Sequence, residues 1–218
     1  MKKMGKWLII TLGVILLIVV ILIVGSTFIP RNNAVGGTAQ VTLPNEYLIT
    51  YEVAMENGTL ETVTLGKDSD GYIYASNGIE ALLFAPSGSG YLEYKATVDG
   101  LFVQADDTLY TASYVEEATE SVLAYAKKSN LRYSQSAKLS DTRTIAGRTC
   151  DLYTIDMQLG VYAMSDVMAV DQQTGACLVW VQSQSVDGYE IKSEGDFTCT
   201  LFQTENVELP SRSKTLAN

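Results

Sequence analysis

The chain of 218 residues contains no histidine. That absence removes Ser-His and Cys-His nucleophile systems and any histidine-ligated metal. Cysteine is scarce: Cys150, Cys177 and Cys199 are the whole set, and no two form a C-x-x-C pair. A thioredoxin-like motif and a zinc knuckle are therefore excluded. No glycine-rich phosphate loop opens a helix. The S-x-x-K pattern from Ser211 to Lys214 lies in a polar tail, where chance explains it. The stretch Asp68 to Gly71 (DSDG) starts like a calcium loop but lacks the later ligands, so it reads as a turn. The sequence is read as non-enzymatic, with no metal and no cofactor.

Basic residues are also few. Lysine and arginine number 15 against 25 acidic residues. Three of the 15, Lys2, Lys3 and Lys6, precede the first apolar run, so the remainder is more acidic than the whole chain's net charge of −10. Such a surface repels nucleic acid and anionic headgroups. Solubility is the first reading of the acidic excess, and recruitment of a cationic partner is the second.

One long hydrophobic run breaks this picture. Trp7 to Val24 is an apolar run broken only by Thr11 and Gly13. As a helix it reaches about 27 Å, close to a bilayer's hydrocarbon core. The expected organisation is a cytoplasmic basic start (1–6), a transmembrane anchor (7–25), a linker (26–38), an extracytoplasmic β domain (39–210) and a frayed tail (211–218). The positive-inside rule keeps the lysines cytoplasmic. This predicts a single-pass cell-membrane protein whose partner through the N-terminal helix is the membrane. A cleavable signal peptide, cut after the small residues near Ser26, stays open as the alternative.

Beyond residue 40 the chain reads as strands separated by Asn57-Gly58, Asn77-Gly78, Asp99-Gly100 and Asp187-Gly188. Asn-Gly and Asp-Gly supply the positive φ angles of tight hairpin turns, so an antiparallel meander is expected. One helix interrupts it over 113–130. Ser113 and Glu116 have capping-box spacing, and Val115, Ala118, Val122 and Tyr125 share a face, with Ala126 beside them.

Hairpin arithmetic through Asp187-Gly188 sets Cys177 nearly opposite Cys199, which predicts a disulfide between them. Three buried thiols acting as small hydrophobes is the equal alternative. Cys150 lies on a strand two positions away, too far for a bridge.

The segment 144–210 resembles the LolA-like lipoprotein-carrier superfamily, including its mycobacterial lipid-carrying relatives. The resemblance rests on TIAGRTCDLYTID, then VDQQTGACLVW, then DFTCTLFQTENVELP, with Gly147, Tyr153, Asp171, Thr174, Gly175, Leu209 and Pro210 at the matching positions. It implies a mainly β fold: a strongly curved antiparallel sheet, an unclosed barrel, with one packed helix, whose concave face can hold acyl chains.

Strands such as VYAMSDVMAV carry apolar groups on both faces, which suits a sheet covered twice or a sheet with a ligand. The expected function is a membrane-anchored domain binding an apolar ligand, a lipid or a lipoprotein acyl chain, with Leu82, Phe84, Met164 and Met168 as candidate ligand residues. A filled core without a cavity is the alternative for those faces. The alternative function is an acidic envelope protein-interaction module that holds a protein partner and has no ligand cavity.

Overall fold

The structure is a computed structural model that describes residues 41–129, 137–191 and 195–209. The strands are β1 (Tyr47–Ala54), β2 (Leu60–Lys67), β3 (Ile73–Ser76), β4 (Ala81–Ser87), β5 (Gly90–Ala96), β6 (Phe102–Gln104), β7 (Ala137–Ile145), β8 (Arg148–Leu159), β9 (Tyr162–Asp171), β10 (Cys177–Val186), β11 (Tyr189–Ile191) and β12 (Phe197–Gln203). Helix α1 (Ala112–Lys127) falls between β6 and β7. The hairpin signals act as read: Gly58, Gly78, Gly100 and Gly188 all have positive φ. The DSDG stretch is a turn in which Asp68 Oδ1 accepts from the main-chain N–H groups of Asp70 and Tyr72.

All strands join one antiparallel sheet, ordered β6-β5-β4-β3-β2-β1-β12-β10-β9-β8-β7, with β11 beside β10. The two halves meet where the first and last strands pair, β1 with β12. This corrects the expected unclosed barrel. The sheet is open and not strongly curved, with free edges at β6 and β7. Hairpin turns fix which strands pair, but they leave coiling to the packing on each face. The edges themselves oppose closure. Strand β6 is three residues long. Strand β7 carries Lys138, Asp141 and Arg143, all exposed, with a register shift between Leu139 and Asp141. Charge and irregularity of this kind block further pairing.

The expected start at 1–6, anchor at 7–25, linker at 26–38 and tail at 211–218 lie outside the described residues. Among the described residues no helix is long and apolar enough to cross a membrane. The expectation of a single-pass, membrane-anchored protein is corrected to this extent: no described helix provides the span.

Helix α1 starts two residues earlier than Ser113 implies. Thr111 is the N-cap, with extended φ/ψ and a side chain that accepts from the Tyr114 N–H. The Ser113 hydroxyl contacts Thr111 Oγ1 instead, at 2.9 Å. The buried stripe is Val115, Thr119, Val122 and Ala126. Thr119 joins it because its hydroxyl donates to the Val115 carbonyl one turn back, at 2.8 Å.

This stripe crosses one face of the sheet from β5 to β10. Beneath it Tyr51, Tyr125 and Phe197 form an aromatic triad, with the Phe197 ring edge-on to both tyrosines at 5.2 Å. At the helix end Lys128 Nζ lies 4.1 Å from the Trp180 ring centroid. The opposite face of the first half is covered by the C-terminal segment, whose Val207 and Leu209 pack with Leu48, Tyr74, Leu83 and Phe102. Gly66 admits that cover, since a Cβ there would stand 2.7 Å from Leu209 Cδ2.

Candidate functional site: an uncovered wing of the sheet

One cross-strand row on the helix side of the sheet runs Val53, Phe197, Trp180, Met168, Tyr153. Strands β8, β9 and β10 continue past this row, and β11 takes the place of β12 beside β10. Because side chains alternate along a strand, the row fixes which residues beyond it share the helix side. The next three rows on that side are Ile155–Asp166–Gln182, then Met157–Met164–Gln184–Ile191, then Leu159–Tyr162–Val186–Tyr189. The reverse side of the same stretch reads Asp156–Ser165–Ser183 and Gln158–Ala163–Ser185–Glu190.

The wing is thus amphipathic across its thickness, apolar toward the helix side and polar behind. Yet its apolar side is open to solvent. Leu159 is 63% exposed and Tyr189 is 79% exposed, and Met157, Val186 and Ile191 are exposed as well. Contiguous apolar surface of this kind is rare on proteins that act alone.

A polar thread runs through it. Tyr162 Oη donates to Gln184 Oε1 at 3.2 Å, Gln184 Nε2 donates to Gln182 Oε1, and Gln182 Nε2 donates to Asp166 Oδ1 at 2.8 Å. Asp166 is buried at its end. Behind the thread, Asp196 Oδ1 accepts from the Gln182 N–H at 2.9 Å, satisfying a β10 donor where β12 gives way to β11. The wing surface is therefore held in shape without a partner.

The residues expected to bind an acyl chain divide between core and wing. Phe84 and Met168 are fully buried, Phe84 edge-on to Tyr114 of α1 and Met168 in the main core. Both are packed core side chains. Leu82 and Met164 are half-buried, and Met164 belongs to the wing. A cleft of about 240 Å³ does lie beside α1, lined by Val53, Met55, Glu61, Val63, Ile79 and Tyr125 among others, and it includes none of the four. The expected apolar-ligand site is corrected: its four residues are not brought together, since Phe84 packs against α1, Met168 lies in the core and Met164 stands on the wing.

The expected disulfide is also corrected. Cys150, Cys177 and Cys199 are separate, buried thiols. The β10–β12 ladder pairs Val179 with Thr198 and Trp180 with Phe197, one residue away from the register that would set Cys177 opposite Cys199. Burial pushes all three thiols up, Cys150 to about 11 and Cys199 to about 12. They are held protonated, the opposite of an activated nucleophile. Among the described residues no group of three or more His, Cys, Asp or Glu could hold a metal ion. What the described residues do present is surface.

No protein family matches the sequence, and no curated protein matches it. Solved structures overlap it in part. One is MucB in complex with MucA(peri), at 17% identity and a TM-score of 0.35, covering 73% of this chain and 50% of that one. Another is the MucA/MucB complex of Pseudomonas aeruginosa, at 18% identity and a TM-score of 0.36, covering 76% and 53%. This chain spans about half the length of those chains, and at such TM-scores no function is carried across from them.

The residues around the matched D-x-x-T-G hairpin have a structural role. Arg148 at the start of β8 makes a two-pronged ion pair with Asp171, Nε to Oδ1 at 3.2 Å and Nη2 to Oδ2 at 3.1 Å. Asp171 Oδ2 also accepts from the N–H and the hydroxyl of Thr174. Arg148 further lies over the Phe202 ring of β12. The cluster pins the β9–β10 turn to β8 and β12, at the end of the sheet away from the wing. No single motif announces the wing itself. Its one sequence signal is the two-faced apolar pattern of VYAMSDVMAV.

Proposed function

We propose that this chain is an acidic, non-enzymatic protein-interaction module that holds a partner polypeptide on the helix-side face of the β8–β11 wing. One observation carries the reading. The helix-side face, buried at Met168 and Trp180, presents two exposed, mainly apolar rows beyond the Asp166–Gln182 pair, while its reverse side turns polar. A stretch solvated on both sides has no use for such alternation. One designed to be covered does. Each leucine-sized side chain taken from water there contributes roughly 1.5–3 kcal/mol, so a few anchors suffice for a stable complex.

The test is photocrosslinking in the native cell from single benzophenone residues placed at Leu159 and Tyr189, with Ser183 on the reverse face as control. Discrete protein adducts from the first two positions and not from the third are the expected result. Equal adducts from all three, or none, would overturn the reading.

A further inference from the structure

We infer that the segment docking on the wing is an amphipathic helix whose apolar stripe is flanked by lysine or arginine, and that it lies alongside α1 as a second helix on the same face. The inference rests on the reading of the wing as a docking surface and adds the chemistry of what docks.

Charge is the first argument. From Thr149 to Ile191, which covers nearly all of β8 and the whole of β9, β10 and β11, there are six acidic residues and no lysine or arginine. Asp156 and Glu190 stand on the reverse face, and Asp187 stands at the tip between β10 and β11. Asp166 is buried at the foot of the apolar rows, accepting from Gln182, with no ion pair to a described cation. Lys128 at the end of α1 and Lys138 on β7 stand nearby, but the wing's own strands are net negative, so a cationic border on the partner is drawn in while an acidic one is repelled. The same charge disfavours a second copy of this chain, because the two wings would bring like charges together.

Geometry is the second argument. Helix α1 already lies on this face and ends with Lys128 over Trp180. The exposed rows begin four residues beyond the Trp180 row, about 13 Å along the strands. A neighbouring helix axis sits about 8–10 Å away, which from the Trp180 row falls between the Ile155 and Met157 rows and sets one edge of a docked helix on the exposed rows. Four strands at about 4.8 Å spacing present roughly 14 Å of width. An i, i+4, i+7 apolar stripe spans about two turns and about 10.5 Å, which fits within that width.

The experiment titrates the full chain into three labelled peptides of equal length and follows anisotropy. One has a leucine stripe at helical spacing with lysine elsewhere. One keeps the stripe with glutamate in place of lysine. One keeps the lysine composition but breaks the helical period. The lysine-flanked helix should bind, weakening about tenfold or more between low and high salt. It should also weaken about tenfold for Leu159→Ser combined with Tyr189→Ser, since anchors of this size carry most of an interface. The exposed pair Asp187→Asn and Glu190→Gln, which leaves the core untouched, should weaken it several-fold.

Equal binding of the glutamate peptide would overturn the role of charge, and equal binding of the broken-period peptide would overturn the docked helix. Crosslinked protein at Leu159 together with no binding of the lysine-flanked helix would sink this inference while leaving the docking surface standing. Loss of both would sink the two together.

Discussion

Tyr51 on β1 donates its phenolic hydrogen to the main-chain carbonyl of Cys177 on β10, at 2.9 Å, across the intervening strand β12. The carbonyl lies where the β9–β10 register shifts, so a ladder partner is in short supply there. Burial raises the phenol well above its ordinary value, which keeps the donor protonated. Tyr51→Phe keeps the ring stacking and removes only this bond. It should lower stability by about 1 kcal/mol, read as a shifted urea midpoint at unchanged slope.

The Arg148–Asp171 pair gives the domain an acid limit. Burial alone would raise the Asp171 carboxyl, but hydrogen bonds from Arg148 and Thr174 and the guanidinium charge outweigh it and hold the group below the usual range. A depressed folded value contributes stability above the unfolded value of about 3.9 and loses it as pH falls through the folded value. Urea midpoints should therefore drop as pH is lowered below about 4. Asp171→Asn should flatten that drop while costing about 2–3 kcal/mol at neutral pH, because it leaves Arg148 without its counter-charge.

The three thiols should be silent in the folded protein. With Cys150 pushed to about 11 and Cys199 to about 12, and with Cys177 fully buried, a thiol reagent at pH 8 should find none of them. Denaturation without reductant should release all three. A thiol count of one after denaturation would show that a bridge had formed.

Gly90 is the most intolerant glycine among those whose surroundings are crowded. A Cβ there would stand 2.5 Å from the Tyr110 carbonyl oxygen and 2.9 Å from Leu109 Cγ. The backbone of the 109–110 segment must move to admit it. Gly90→Ala should cost about 1–3 kcal/mol, with thermal melting as the readout.

Core and wing should respond differently to truncation. Met168→Ala removes a fully buried core side chain and should cost about 2–5 kcal/mol. Leu159→Ser and Tyr189→Ser remove exposed ones and should change stability by less than about 0.5 kcal/mol. A large loss at Leu159 would mean that the wing is core.

The strands and the helix were legible because their signals are local. Asn-Gly and Asp-Gly turns mark hairpins wherever they occur, and the stripe from Val115 to Ala126 marks a helix whatever it packs on. Strand β7 was not legible, since its exposed run from Lys138 to Thr144 shows no apolar alternation. Thr111 was missed as N-cap because Ser113 offered a better capping-box spacing, and tertiary contacts of Tyr114 with Phe84 and Glu93 drew the helix start backward. The sheet order was hidden because β1 beside β12 is a long-range pairing. The cysteine register failed by one residue because the Asp187-Gly188 turn sets β10 against β11, and β12 pairs with β10 in a ladder already shifted at Val179 and Trp180. Two-faced apolar strands were visible, but sequence alone does not say that α1 stops short of the wing.

The meeting of β1 with β12 has a consequence for how the domain is made. Thr200 Oγ1 bonds the Thr50 carbonyl, 150 residues earlier in the chain. At ribosomal speeds of about 5–20 residues per second, β1 therefore waits on the order of ten seconds for its outer neighbour. Until then the meander β1–β6 presents the apolar strand YLITYEVA as an unpaired edge. The closing step is one of high contact order and is correspondingly slow. A nascent chain stalled before Phe197 carries the domain's most hazardous edge, and the last strand to emerge is the one that makes it safe.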